Sequence, residues 1–388
     1  MMRLIALMAL ICIVTGWKAN AGLKIEVYDY KSKTIYHSPE TPGYTSWVGF
    51  WEMPDGTLYC DFRQVTGPKD KTVSTCPLME SKDKGETWKV TTDRQGDGTG
   101  SGGIFQMSQN SGRGMAVLKD WTMVRPVWPS GTTSDPSTGY VVRSTDRGKT
   151  WSDPIYFLAA ADYRCWPTLI KPLKDGRVVL YAGCWKRGVG QPTDMNYPIN
   201  NMDKVMFVSE DKGKTWSKPI ALVPPGEGEC EESDFVEMDN GNLFWVHRSE
   251  HYPGKEVPIP ARGARMGTTP PQSYAWSDRQ QSVCKKSGKT FIPGPVEQAP
   301  FPHSGYPLVI KTQENLVLHC ATDGIYWTSN VGKTWTKLDI PGTAYYPKGM
   351  QLKDGRIIII GHVGGDDAYG TVDQSIFQQS FKLRMVAE

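Results

Sequence analysis

A phenol, a carboxylate, two imidazoles and three guanidinium groups stand at ordered positions around a repeated turn in this chain. The turn is an Asp-Gly or Asn-Gly step between two apolar runs, the strongest short-range signal for a β-hairpin. Glu232 lies nine residues before Gly241, and Arg248 lies seven after it. Tyr346 lies nine before Gly355, His362 lies seven after Gly355, and Arg63 lies seven after Gly56. Arg164 and His303 fall at the starts of the first strands of the third and fifth units. Tyr346 and His362 could serve as nucleophile and base, or as an acid/base pair, and His303 is a further catalytic candidate. Glu232 could be the general acid or base of a hydrolase. Arg63, Arg164 and Arg248 suit bidentate binding of a carboxylate or sulfate. The same phenol and imidazole, with arginine neutralising a carboxylate, would also let a lyase take the C5 proton of a uronate.

The elements that must position these groups form a repeat. Apolar run, turn and apolar run read FWEMPDGTLYCDF, LIKPLKDGRVVLY, FVEMDNGNLFWV and MQLKDGRIIII. Degenerate copies lie near Gly114 and Glu314. An octet alternates with this hairpin: Ser81–Trp88, Ser144–Trp151 and Ser209–Trp216, with weaker forms at Cys284–Phe291 and Thr328–Trp335. No segment keeps a period of 3.6, so helix should be scarce. Six units of this length predict a six-bladed β-propeller of four-stranded antiparallel blades. Both turn types then share one rim. The long stretches 121–138, 185–203 and 249–276, the latter carrying Arg262 and Arg265, fall on the other rim, the usual habit of a binding face. Asp366 and Asp367 could line the same pocket or cap a turn.

The octet is acidic and glycine-containing, yet it lacks the further ligands of a calcium loop and opens no helix to cradle a phosphate. A structural part suits it better. Its Asp can accept backbone N–H groups across a tight turn, its Gly can take positive φ, and its Trp can wedge between blades.

The octets resemble the Asp-box, or BNR, repeats of the sialidase (neuraminidase) superfamily, and the resemblance spans residues 22–388. It implies a carbohydrate-active site on the rim away from the octets. Glu232 to Arg248 is similar to the family's segment joining an active-site Glu to one arginine of a carboxylate-binding triad. Tyr346 resembles the tyrosine nucleophile, an exception among glycosidases. Other family positions differ here. Thr45-Ser46-Trp47 and Ala321-Thr322-Asp323 stand where the family has its other two arginines, and Gly102–Phe105 where it has an acid/base Asp. His362 stands where it has a carboxylate. The resemblance implies an exo-acting glycoside hydrolase, and the cationic residues point to an acidic glycan carrying sialic acid, uronic acid or sulfate. A polysaccharide lyase and a non-catalytic glycan-binding propeller are the alternatives.

Composition sets the remaining bounds. A net charge of +3 over 388 residues argues against nucleic acid as a partner. Arg3, the apolar run Leu4–Val14 and Ala19-Asn20-Ala21 read as a cleavable signal over 1–21, so a secreted or periplasmic protein is expected. No later run nears the ~20 apolar residues of a membrane-spanning helix. Neither a metal nor another cofactor is expected, since no Cys/His spacing suits one. Of eight cysteines, Cys12 leaves with the signal, and Cys165 and Cys184 fall at opposite ends of the third unit's first hairpin, where they could bridge.

Overall fold

The computed structural model describes residues 23–38, 43–66, 73–95, 114–127, 138–187, 203–223, 232–248, 279–301, 306–321, 324–363 and 375–387. Among them there is no helix, hence none long and apolar enough to cross a membrane. The strands form six antiparallel sheets arranged as propeller blades.

The first blade contains Gly43–Glu52, Leu58–Thr66, Val73–Ser81 and Lys89–Gln95. The second holds Ala116–Val117, Met123–Val127 and Tyr140–Ser144, and a bridge between Val141 and Ile155 occupies its outer place. The third runs Tyr163–Pro172, Val178–Lys186, Asp203–Ser209 and Ile220–Val223. The fourth runs Ser233–Glu237, Leu243–His247, Gln280–Ser287 and Thr290–Gln298. The fifth runs Leu308–Lys311, Val317–Ala321, Gly324–Thr328 and Thr336–Lys337. The sixth takes Tyr345–Gln351, Ile357–Val363 and Ser375–Ala387 from the chain's end. Its outer strand is Leu23–His37, which pairs antiparallel with Ser375–Ala387 and closes the ring.

Second strands are buried on both faces because each lies between two neighbouring blades. Alternate side chains therefore enter different cores. Ile357 and Ile359 join the core between blades five and six, while Ile358 and Ile360 join the one between six and one. Val178, Leu180 and Ala182 face blade two, whereas Val179 and Tyr181 face blade four. Burying each such aliphatic side chain stabilises the fold by roughly 1.5–3 kcal/mol. This explains the unbroken apolar runs beside every turn.

The octets form the expected turn. Asp83 Oδ1 accepts the Thr87 N–H at 2.8 Å, and Ser81 Oγ accepts the Gly85 N–H at 2.8 Å. The copies at Asp146, Asp211 and Asn330 repeat the pattern. Lys84 and Gly85 both adopt positive φ, 58° and 84°. A Cβ on Gly85 would meet Ile358 of the preceding blade at 2.9 Å, so glycine also permits the close approach. A glutamine on the preceding blade's third strand completes two of these joints. Gln378 accepts from Trp88 Nε1 at 2.7 Å and donates to the Gly85 carbonyl at 3.1 Å. Gln281 does the same for Trp335 and Gly332. Lys84 reaches Asp354 of the neighbouring Asp-Gly turn at 3.1 Å, so both turn types share one rim.

Hydrogen bonds from the Thr87 and Thr150 hydroxyls and amides hold the Asp83 and Asp146 carboxyls down at about 2. A depressed carboxyl pKa gives stability present above the unfolded value near 3.9 and lost as pH falls through about 2. The octet joints should therefore weaken between pH 4 and 2. Asp83→Asn should flatten part of that loss, because Asn330 already serves in the fifth blade without titrating. Urea midpoints measured every half unit of pH check this, and an identical acid slope in the variant would contradict it.

One turn differs from the sequence expectation. In the second blade the turn is Leu118–Thr122, with Trp121 at φ 68°, and not the stretch around Gly114. The fifth turn, Thr312–Leu316, lies where expected around Glu314, with Asn315 at φ 63°. Trp121 and Asn315 take the glycine's place in the same left-handed backbone.

Candidate active site

The first hairpin of the fourth blade continues one step beyond its ladder. The Arg248 N–H donates to the Glu232 carbonyl at 3.0 Å. Directly opposed residues of an antiparallel pair share a face, and Arg248 Nη1 lies 2.5 Å from Glu232 Oε2. Their side chains are only 9% and 12% exposed. Both charges are thus largely withdrawn from water and hold each other.

Tyr346 comes to this pair from the sixth blade. The ladder there breaks between Tyr345 and Lys348, and Tyr346 takes φ 49°. A left-handed conformation costs a non-glycine residue about 1–2 kcal/mol, and such a bulge re-aims a side chain. The phenol hydroxyl donates to Glu232 Oε1 at 2.9 Å and accepts from Arg248 Nη1 at 3.2 Å. Phenol, carboxylate and guanidinium form a closed triangle. The carboxylate is placed to take the phenol proton, and the guanidinium to stabilise the phenoxide that results.

His362 lies against the face of the Tyr346 ring, centroids 6.0 Å apart and planes 19° apart. Tyr345 packs edge-on against both, at 5.3 Å from His362 and 4.7 Å from Tyr346. The buried Nδ1 of His362 has no hydrogen-bond partner among the described residues. Glu232 and Arg248 bond the phenol oxygen, and His362 meets the Tyr346 ring.

The other expected residues lie on other blades or outside the described residues. Arg164 is buried in the third blade, with its guanidinium 5.7 Å from the Trp166 ring. Arg63 is half-buried opposite Ser46 in the first blade. His303, Arg262, Arg265, Asp366 and Asp367 lie outside the described residues. Among the described residues, no three His, Cys, Asp or Glu side chains are grouped to hold a metal ion.

Three participants escaped the sequence reading. Tyr306 lies nine residues before Asn315, the offset of Glu232 and Tyr346 from their turns. Its ring stands 6.4 Å from that of Tyr346, and its hydroxyl donates to the Thr168 carbonyl at 3.0 Å. The Lys348 ammonium sits 3.3 Å above the Tyr306 ring, a cation–π contact. His247, next to Arg248 in the chain, has its ring nitrogens each 2.9 Å from the Ser233 and Ser282 hydroxyls. Knowing that Asn315 is the fifth turn would have exposed Tyr306.

Burial holds His362 down at about 4, and burial with the nearby Lys204 charge holds His247 down at about 3. The unfolded chain therefore protonates first. The stability these imidazoles contribute is complete above about 6.5 and falls as pH drops towards 4. The urea midpoint should decline over that window, above the one set by the octet aspartates, and His362→Gln should remove part of the decline. A midpoint flat from pH 7 to 4.5 would contradict the burial of neutral imidazoles.

No protein-family model matches the chain, and no curated protein matches it. Solved structures do. A protein of unknown function from Dyadobacter fermentans shares 16% identity over 93% of this chain and 99% of its own, with TM-score 0.60. The GH93 α-L-arabinofuranosidase of Fusarium graminearum, solved with arabinobiose, shares 17% over 89% and 97%, with TM-score 0.58. The NanB sialidase of Streptococcus pneumoniae shares 10% over 90% and 70%, with TM-score 0.56. The chain shares its fold with propeller glycosidases. At this identity the likeness is one of architecture, and the chemistry has to be argued from the triangle itself.

Proposed function

We propose that this propeller is an exo-acting glycoside hydrolase of acidic glycans, with Tyr346 as nucleophile, Glu232 as its base and Arg248 as the cation that orients both. The observation that carries the reading is the closed Tyr346–Glu232–Arg248 triangle, with the phenol bonded to a carboxylate. Glu232 takes the phenol proton as the oxygen attacks the anomeric carbon. The glycosidic oxygen leaves with a proton, for which His303 is the candidate donor. Water, deprotonated in turn, then releases the sugar with retained configuration. A strained backbone at Tyr346 supports function, since such strain collects where a side chain must be aimed. Arg63 and Arg164 are assigned to the sugar's carboxylate or sulfate. We propose further that the chain is exported and loses residues 1–21, which N-terminal sequencing of the secreted product tests.

One observation favours a second reading. The Arg248 charge is engaged by Glu232, which leaves less cationic character for an acidic substrate. The fold shared with an arabinofuranosidase makes a neutral arabinoside the specific competitor. A panel of sialosides, uronate oligosaccharides, sulfated glycans and arabino-oligosaccharides, each run with Tyr346→Phe, decides. Release of an acidic sugar supports the first reading, and release of arabinose alone the second. An unsaturated uronate would identify a lyase. Binding without turnover would identify a glycan-binding propeller.

A further inference from the structure

We propose that Cys165 and Cys184 are joined by a cross-strand disulfide that fastens the loop-side end of the third blade's first hairpin, beside Arg164. The two residues are direct partners in the antiparallel ladder between Tyr163–Pro172 and Val178–Lys186. Which kind of partners they are follows from where the Cys165 backbone bonds. Its N–H donates to Thr138 Oγ1 at 2.8 Å, and its carbonyl accepts from the Gly139 N–H at 2.8 Å. In a strand the N–H and C=O of one residue point to the same side, so Cys165 turns both away from Cys184. The pair is therefore the narrow, non-hydrogen-bonded kind, with Cα atoms about 4.5 Å apart and side chains close together. That spacing falls within the range of about 4.4–6.8 Å that a disulfide spans.

The thiols themselves agree with this. In the structure both are reduced and buried, and they lie within hydrogen-bonding reach of each other. No other pair of described cysteines shares a ladder rung. Cys60 opposes Phe50 and Met79, Cys76 opposes Arg94, Cys284 opposes Leu243 and Pro293, and Cys320 opposes Leu308 and Ile325.

Forming the bond removes two protons and two electrons from the thiols. A disulfide-class oxidant takes them and is released as two thiols, through a mixed disulfide that the second cysteine displaces. Because Cys165 and Cys184 are 1% and 2% exposed, exchange belongs to folding, before the blades close. Once closed, the site shields the bond from soluble reductant. An exported chain would meet such an oxidant. The cross-link acts on the strand that carries Arg164 and that accepts Tyr306 through Thr168. The opposite side of that strand is already pinned by residues 138–139. A Cβ at Gly139 would lie 2.6 Å from the Cys165 carbonyl, so that side is at closest approach. The disulfide would pin the other side.

The full chain, folded in a mixture of oxidised and reduced glutathione, is alkylated under denaturing conditions and mapped by mass spectrometry without reduction. The expected result is one cross-linked species joining the Cys165 and Cys184 peptides, with neither residue alkylated. Reduction of the denatured chain should restore both to labelling, while reductant added to the native protein should not. Cys165→Ala, Cys184→Ala and the double variant should each abolish the difference in melting temperature between chains folded with and without oxidant. Alkylation of both residues in the oxidised chain, or a bond from either to another cysteine, would overturn the proposal. Mapping the unsubstituted chain decides even if a variant fails to fold. None of these readouts needs enzymatic activity, so they stand apart from the fate of the glycosidase reading.

Discussion

Tyr346→Phe is expected to lower kcat and kcat/KM together, by roughly 10³-fold or more, on whichever glycan the wild-type chain cleaves. The substitution removes one oxygen and leaves the ring that packs against Tyr345, Tyr306 and His362. It deletes the bonds to Glu232 Oε1 and Arg248 Nη1 but leaves the Glu232–Arg248 pair in place. Stability should change by only about 1–2 kcal/mol, the range for neutral and charge-assisted hydrogen bonds. The variant should therefore fold, bind substrate with nearly unchanged KM, and fail at the chemical step. Intact protein mass spectrometry on a slow or fluorinated substrate should trap a glycosyl adduct on Tyr346 in the wild type and none in the variant. If the variant turns over at the wild-type rate, the phenol is not the nucleophile, and the lyase assignment for Tyr346 falls with it.

How far the sequence could be read depended on which physical constraint was local. Propeller architecture was legible because two turn chemistries alternate at fixed places. Each Asp-Gly turn needs a left-handed residue, and four of the five octets use an Asp or Asn to collect amides. Both needs are written in residue type. The turn at Trp121 escaped, and the left-handed residue of the fifth turn, Asn315, went unnamed, because a left-handed backbone does not require glycine. There the flanking bonds, Leu118 N–H to the Thr122 carbonyl and Leu316 N–H to Thr312 Oγ1, hold the conformation. Closure by Leu23–His37 also left no local sign, since its partner strand lies at the far end of the chain.

The site divides in the same way. Glu232 and Arg248 could be paired from sequence because antiparallel register fixes who faces whom. Tyr346 could not be aimed from sequence, since Tyr345 beside it is an equal candidate under strict alternation. The break between Tyr345 and Lys348 decides, and it turns Tyr346 onto the carboxylate while Tyr345 stays opposite His362. The imidazole therefore meets a ring face and the carboxylate meets the hydroxyl. Arg63 and Arg164 obeyed the register too, but register places a backbone and not the tip of a long side chain.

Arg248→Met is expected to produce the largest loss of stability among single substitutions at the site. Its guanidinium and the Glu232 carboxylate are nearly withdrawn from solvent, so removing one leaves the other as a buried, unpaired charge. Breaking such a pair costs roughly 3–5 kcal/mol. Replacing both with neutral groups of similar size, Glu232→Gln with Arg248→Met, should return much of that loss, because nothing charged is then stranded. The double-mutant cycle reads the coupling directly from urea unfolding. Activity should not follow stability. Both singles and the double variant should be inactive, since Glu232→Gln removes the base and Arg248→Met removes the cation beside the phenoxide. A structural ion pair that merely closed the centre of the propeller would behave differently, with the stabilised double variant regaining turnover. Recovery of folding without recovery of catalysis would mark the pair as part of the chemistry. Recovery of both would remove Glu232 and Arg248 from it.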